Sequence, residues 1–126
     1  MAVRINRALF ARAYRTRHRH VVGKMNQTEA RYAAYLNTRK IAGEVQEWYF
    51  EPLKLRLADK TFYTPDFMVL TREWIIELHE VKGFMEDDAA VKLKVAAETF
   101  PCFRFLLCAP SQGGWKVKET GNASRD

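Results

Sequence analysis

Two short segments of the chain carry residue types that do chemistry together. Pro65-Asp66 stands at the start of an apolar segment, and Glu80-Val81-Lys82 ends the next one. Carboxylates can hold a magnesium ion, which prefers oxygen ligands and keeps several waters, so positions stay open for a phosphate oxygen. The carbonyl of Val81 is a further candidate oxygen ligand. A bound cation activates water, and a lysine stabilises charge on the phosphate. The segments therefore predict phosphodiester hydrolysis dependent on Mg²⁺ or Mn²⁺, with one or two ions.

The geometry of a β-hairpin brings these segments together. Side chains alternate along a strand, so Glu80 and Lys82 share one face. A turn centred near Arg72 predicts that Asp66 lies opposite Leu78 and diagonal to Glu80, at about 7–8 Å. That separation suits one cation held between two carboxylates.

Structural alternatives exist for each segment. Pro65-Asp66 is also an ordinary turn dipeptide. Glu80 and Lys82 can form a surface ion pair, worth about 0–1 kcal/mol. Glu77 and His79 have the opposite strand parity, so we exclude them from the predicted site.

A helix before these strands supplies a third candidate acid. Asn26 is a candidate N-cap with Glu29 three residues later, which is the pattern of a capping box. Gly43 is well placed to end this helix. Glu29 has two interpretations: a capping residue, or a site carboxylate that reaches a second metal ion.

The remaining patterns complete a mixed α/β domain. Aromatic and β-branched runs or apolar alternation predict strands, and acidic residues before an apolar stripe predict a second helix. After the first helix, the predicted elements are strands over 45–50, 53–57, 62–70 and 74–81, a helix over 86–100, and a strand over 103–109.

Basic residues are concentrated at the start of the chain. The 126 residues carry a net charge of +6, with 21 basic and 15 acidic residues. Seven of the basic residues lie within 1–24, and no acid precedes Glu29. Such an arm suits phosphate backbones, and a solvated tail is the alternative. The candidate DNA-binding residues of the arm are Arg4, Arg7, Arg12, Arg15, Arg17, Arg19 and Lys24.

The chain has the length of one domain. We predict a partly flexible basic arm over 1–24, a catalytic domain over 25–118 and a flexible tail over 119–126. Lys92 and Lys94 of the second helix are further candidate DNA contacts, with a solvated helix face as the alternative.

Cysteine spacing and hydropathy indicate an intracellular protein without a membrane span. Cys102 and Cys108 on one strand would lie about 20 Å apart, beyond the ~6 Å of a disulfide, so we predict buried thiols. No apolar run approaches the ~20 residues of a spanning helix, and the N-terminus lacks the apolar core of a secretion signal.

The order Glu29, Pro65-Asp66-Phe67 and Glu80-Val81-Lys82-Gly83 resembles the PD-(D/E)XK nuclease superfamily. The stretch over 23–107 is similar to phage endonuclease I type junction resolvases. The segment over 28–45 resembles small phage nucleases even more closely. The resemblance implies a restriction-endonuclease-like αβββαβ core, with a central mixed sheet flanked by helices. It also implies that Asp66 and Glu80 are metal ligands, Lys82 the catalytic lysine and Glu29 the additional acid.

These observations predict a magnesium-dependent endodeoxyribonuclease that acts on DNA, including branched DNA such as Holliday junctions. The resemblance implies a cytoplasmic protein of a bacterial host, and a homodimer is expected for a junction cutter. Two alternatives stay open: a non-catalytic DNA-binding protein that uses the basic arm, and a nuclease directed at RNA.

Overall fold

The computed structural model describes residues 23–82 and 87–120, and of residues 87–89 only the backbone. This part of the chain contains two helices and seven strands. The helices are α1 (Gln27–Ile41) and α2 (Asp87–Thr99). The strands are β1 (Val45–Phe50), β2 (Leu55–Ala58), β3 (Thr61–Tyr63), β4 (Phe67–Thr71), β5 (Ile76–Val81), β6 (Arg104–Ser111) and β7 (Gly114–Thr120).

Five strands form a mixed central sheet in the order β1-β4-β5-β6-β7. Only the β5–β6 pair in this sheet is parallel. Parallel neighbours need a long crossover, and α2 provides it. Strands β2 and β3 form a separate antiparallel hairpin. The predicted mixed α/β class is confirmed.

Each face of the central sheet is covered by one helix. On one face, Tyr32 and Leu36 of α1 pack in a buried cluster with Phe67 and Val69 of β4. On the other face, α2 and the β2–β3 hairpin pack over Leu78 of β5. The cluster members contributed by α2 and the hairpin are Leu55, Tyr63, Leu93, Ala96 and Ala97. Within the described residues, neither helix is long and apolar enough to cross a membrane.

The predicted signals at both ends of α1 are confirmed. The side chain of Asn26 accepts a hydrogen bond from the backbone of Glu29, and the Glu29 side chain accepts one from the backbone of Asn26. This capping box satisfies two amide groups that a helix start would leave unpaired. Gly43 follows the C-terminus with a φ of 84°, a conformation that glycine adopts without steric cost.

The register of the β4–β5 hairpin differs from the prediction. Phe67 pairs with His79 and Met68 with Leu78, so the predicted pairing of Asp66 with Leu78 is wrong. Residues 72–75 lie in the connection, and the strand begins at 76 rather than 74. Continuing the observed register places Asp66 opposite Glu80, which is closer than the predicted diagonal.

Two predicted strands also have different bounds. The strand predicted over 62–70 is divided into β3 and β4, because Pro65 donates no ladder hydrogen bond. At the C-terminal end, the strand predicted over 103–109 covers Arg104–Ser111 as β6 and pairs with β7. Strand β7 ends at Thr120, within the predicted tail over 119–126.

The prediction of two buried thiols is half right. Both cysteines are free, but only Cys108 is buried, whereas Cys102 is exposed in the turn before β6. Burial raises the pKa of the Cys108 thiol to about 12, so its reactive thiolate is rare at neutral pH.

We therefore expect iodoacetamide to modify one cysteine in the native protein. Peptide mass spectrometry at pH 8 should locate the adduct on Cys102, and a second adduct should form on Cys108 only in denaturant. Comparable labelling of Cys108 in the native protein would contradict its burial.

Candidate active site

The main chain holds Asp66 at one end of the central sheet. Its carbonyl accepts a hydrogen bond from the backbone N–H of Glu51 at 2.8 Å. Its carboxylate oxygen Oδ2 accepts one from the backbone N–H of Val81, also at 2.8 Å. The preceding Pro65 is fully buried. These contacts fix the partly buried carboxylate of Asp66 beside the last residue of β5.

Glu80 is buried, with 6% of its surface exposed, and two side chains hold its carboxylate. The hydroxyl of Tyr63 donates a hydrogen bond to Oε1 at 2.6 Å. The ammonium of Lys82 lies 3.1 Å from Oε2. The predicted shared face of Glu80 and Lys82 is confirmed by this contact.

The capping interpretation of Glu29 is confirmed, and its charge also acts on the site. Its carboxylate oxygen Oε1 accepts the capping hydrogen bond from the N–H of Asn26 at 2.8 Å. The side chain is also buried, and its negative charge raises the pKa of both Asp66 and Glu80. Glu29 is therefore a capping residue whose charge acts on the two carboxylates.

The site concentrates negative charge in a poorly solvated place. Burial first, and then the charges of Glu80 and Glu29, raise the pKa of Asp66, against the opposing effects of Val81 N–H and Lys82. Burial also raises the pKa of Glu80, although Lys82 and Tyr63 favour its charged form. Buried acids with perturbed pKa values are typical of functional sites.

The site offers fewer protein ligands than a metal ion coordinated by protein side chains alone requires. In residues 23–82 and 87–120, no group of three or more His, Cys, Asp or Glu side chains has the geometry to hold a metal ion. Mg²⁺, however, is commonly bound through one or two carboxylates plus waters and substrate phosphates. Asp66 and Glu80 offer two such carboxylates, which the N–H of Val81 and the ammonium of Lys82 hold in place.

A buried hydroxyl belongs to Thr64, two residues before Asp66 in the chain. Thr64 is 8% exposed, and its Oγ1 has no hydrogen-bond partner among the described residues. A buried hydroxyl without a partner costs about 1–3 kcal/mol, so such atoms commonly bind a water or a ligand. The hydroxyl of Thr64 is thus a possible acceptor or donor two residues before Asp66.

The predicted DNA-binding residues fall into two groups. Lys24, Lys92 and Lys94 lie in the described part of the chain and are exposed. The others lie outside the described residues: Arg4, Arg7, Arg12, Arg15, Arg17 and Arg19.

Tyr63 is the contact that the sequence interpretation missed. It lies on β3, which the single predicted strand over 62–70 concealed, and its ring is part of the buried core. In the sequence, the one indication of a role was that Tyr63 lies three residues before Asp66. No local pattern, however, predicts that the hydroxyl of Tyr63 reaches Glu80 on another strand.

Glu77 and His79 lie on the opposite face of the sheet, as their parity predicted. The Tyr32 hydroxyl lies 2.6 Å from His79 Nδ1 and 3.1 Å from Cys108 Sγ. His79 Nε2 lies 3.0 Å from Oε1 of Glu77, and the other oxygen of that carboxylate, Oε2, lies 3.3 Å from Arg104. Burial lowers the pKa of His79, so we assign a neutral ring that donates from Nε2 and accepts at Nδ1.

This buried polar network joins α1 to β5 behind the site. Replacing Tyr32 with phenylalanine removes the hydroxyl and leaves His79 Nδ1 buried without a donor. We expect the free energy of unfolding to fall by about 1–3 kcal/mol, measured by urea denaturation.

Tyr35→Phe is the matched control, because Tyr35 lies one turn later on the same helix and is only partly buried. We expect this control to stay within about 0.5 kcal/mol of the wild type. Equal losses in both variants would contradict a special role for the Tyr32 hydroxyl.

Comparison of the chain with protein-family models, with curated proteins and with solved structures found no match. The residues of the site and their geometry are therefore the basis for a function.

Proposed function

We propose that the protein is a magnesium-dependent endodeoxyribonuclease with a restriction-endonuclease-like core of the PD-(D/E)XK type. One observation carries the proposal: the sheet brings Asp66 beside the end of β5, where Glu80 and Lys82 are in contact. Two carboxylates and a lysine at one sheet end are the groups that metal-assisted phosphodiester hydrolysis requires.

Each residue has a distinct part in the proposed reaction. Asp66 and Glu80 would hold the cation, with the carbonyl of Val81 as a candidate third ligand. The ion, when bound, activates a water and neutralises charge on the scissile phosphate. Lys82 orients the attacking water and stabilises the charge that develops on the phosphate. Glu29 adds an acid that supports a second ion.

The element order supports the proposed core. Helix α1, strands β1, β4 and β5, helix α2 and strand β6 follow the order αβββαβ when the β2–β3 hairpin is taken as an insertion. Strand β7 is then an addition at the sheet edge.

The proposed substrate is DNA, with branched DNA as the favoured form and a homodimer as the acting species on a junction. The net charge of +6 and the basic residues of 1–24 favour a polyanionic substrate. The rival is a non-catalytic DNA-binding protein, in which the carboxylates are structural. RNA is the second possible substrate.

One assay separates these functions. The full chain is incubated with labelled junction, flap, duplex and single-stranded DNA and with RNA, each with Mg²⁺ and with chelator. We expect DNA cleavage with Mg²⁺ and none with chelator. Binding without cleavage of any substrate, with either Mg²⁺ or Mn²⁺, would overturn the nuclease proposal, and cleavage of RNA alone would overturn the choice of DNA.

A further inference from the structure

The β2–β3 hairpin has two faces with different chemistry. Leu55 and Tyr63, which pair across the hairpin, are buried in the core over the central sheet. The next pair, Arg56 and Phe62, has the opposite parity and is exposed. The inner face therefore anchors the hairpin, and the outer face presents a cation beside an aromatic ring.

The outer face carries more positive charge than one arginine. The Lys54 ammonium lies 4.3 Å from the centroid of the Phe62 ring, and Lys60 is exposed at the hairpin turn. Asp59 is the acid of the turn, and it lies 3.6 Å from Arg56. Both side chains of that pair are mostly exposed, so it is weak and can exchange for another anion.

An exposed aromatic ring among cations has a particular complement. Phe62 is 40% exposed, and a partner that stacks on its ring would lower the free energy by removing this apolar surface from water. Nucleic-acid strands offer phosphates to the cations and base faces to the ring at adjacent positions. An acidic protein segment would match the charges but lacks the regularly spaced planar groups.

The hairpin is also joined directly to the candidate active site. Tyr63 contacts Glu80 at 2.6 Å, and the chain leads from Tyr63 through Pro65 to Asp66. The hairpin that carries the outer face is therefore joined to the site by a hydrogen bond and by a short stretch of chain.

We propose that the outer face of the β2–β3 hairpin, formed by Lys54, Arg56 and Phe62, binds an unpaired DNA strand. A base displaces Lys54 from the ring of Phe62, where the exposed cation–π contact is weak. Lys54 and Arg56 then contact the neighbouring phosphates. This inference rests on the proposed function for the role of the strand as substrate, and it identifies that substrate as DNA with an unpaired segment.

The test measures binding in the Asp66→Asn background, in which cleavage cannot consume the probe. Fluorescence anisotropy follows a labelled 20-nucleotide single strand and a blunt duplex of the same sequence. We expect Phe62→Ala to weaken binding of the single strand about 10-fold, and binding of the duplex much less. Arg56→Ala should lower the slope of log K against log salt on the single strand by about 0.7.

Exposed residues of the sheet-edge strand β7 provide matched controls. Val117→Ala and Lys118→Ala remove an apolar and a basic side chain there, and both variants should bind like the parent protein. Thermal melts show whether each variant is folded.

The failure of this inference differs from the failure of the proposed function. If the wild type cleaves DNA and the hairpin variants bind the single strand as tightly as the β7 controls do, only the role of the hairpin is overturned. Weaker binding in the hairpin variants, combined with no cleavage by the wild type, supports the docking surface and overturns the nuclease.

Discussion

Replacing Asp66 with asparagine is expected to abolish DNA cleavage while raising the thermal stability of the metal-free protein. Asparagine is nearly isosteric with aspartate, and its carbonyl can still accept the hydrogen bond from Val81 N–H. The substitution removes a negative charge that lies near Glu80 and Glu29 in a buried place. The two effects have one cause. Repulsion among neighbouring carboxylates destabilises the metal-free fold, and the same negative charge attracts a cation.

The expected magnitudes are large enough to measure separately. A cation at this site supplies several kcal/mol of transition-state stabilisation, so its loss should lower the cleavage rate at least about 10³-fold. The gain in stability is on the order of 0.5–2 kcal/mol, or a few °C in the melting temperature.

A distant carboxylate controls for the change of charge. Glu73→Gln alters an exposed acid in the connection between β4 and β5, at the other end of that hairpin. This variant should cleave and melt like the wild type. An Asp66→Asn protein that cleaves at the wild-type rate would contradict the catalytic assignment, and a lower melting temperature would contradict the electrostatic one.

Replacing Lys82 with alanine has the second largest expected effect. Its ammonium contacts Glu80 at 3.1 Å and remains partly exposed, so it can also meet a phosphate that approaches the site. Removing one such stabilising group lowers rates by about 10²–10³-fold. Single-turnover cleavage at saturating protein measures this loss apart from binding.

The control for Lys82 is a lysine of equal charge on the edge strand. Lys116→Ala removes an exposed ammonium from β7 and should leave the rate unchanged. Equal rate losses in both variants would show that general charge, rather than the position of Lys82, supports the reaction.

Local patterns predicted the parts of the site that local interactions determine. The capping box at Asn26 and Glu29 is a contact between residues three apart, and α1 begins there. Alternation along a strand is equally local, and it correctly separated Glu80 and Lys82 from Glu77 and His79.

The errors arise where contacts between distant residues decide the structure. The register of β4 with β5 depends on the length of their connection, where Trp74 adopts a φ of 65° that its side chain does not favour. The observed pairing is centred at residue 73 rather than at Arg72, so the partner of each β4 residue moves by two positions. The shift moves Asp66 to the position opposite Glu80.

The β2–β3 hairpin illustrates the same limit. Leucines alternating with basic residues predicted a strand over 53–57, but not that the following segment would fold back on it. Tyr63 reaches Glu80 because the hairpin packs over the sheet, which is a property of the whole core. Cys102 is exposed because the chain turns before β6 begins.

Binding of a divalent cation tests the central claim most directly. Electron paramagnetic resonance of a Mn²⁺ titration measures bound ions in the wild type, in Asp66→Asn and in Glu80→Gln. We expect the wild type to bind Mn²⁺ ions that Mg²⁺ displaces, and both variants to lose this binding or to bind much more weakly. Equal Mn²⁺ binding by all three proteins, or none by a folded wild type at millimolar Mn²⁺, would contradict a cation shared by Asp66 and Glu80.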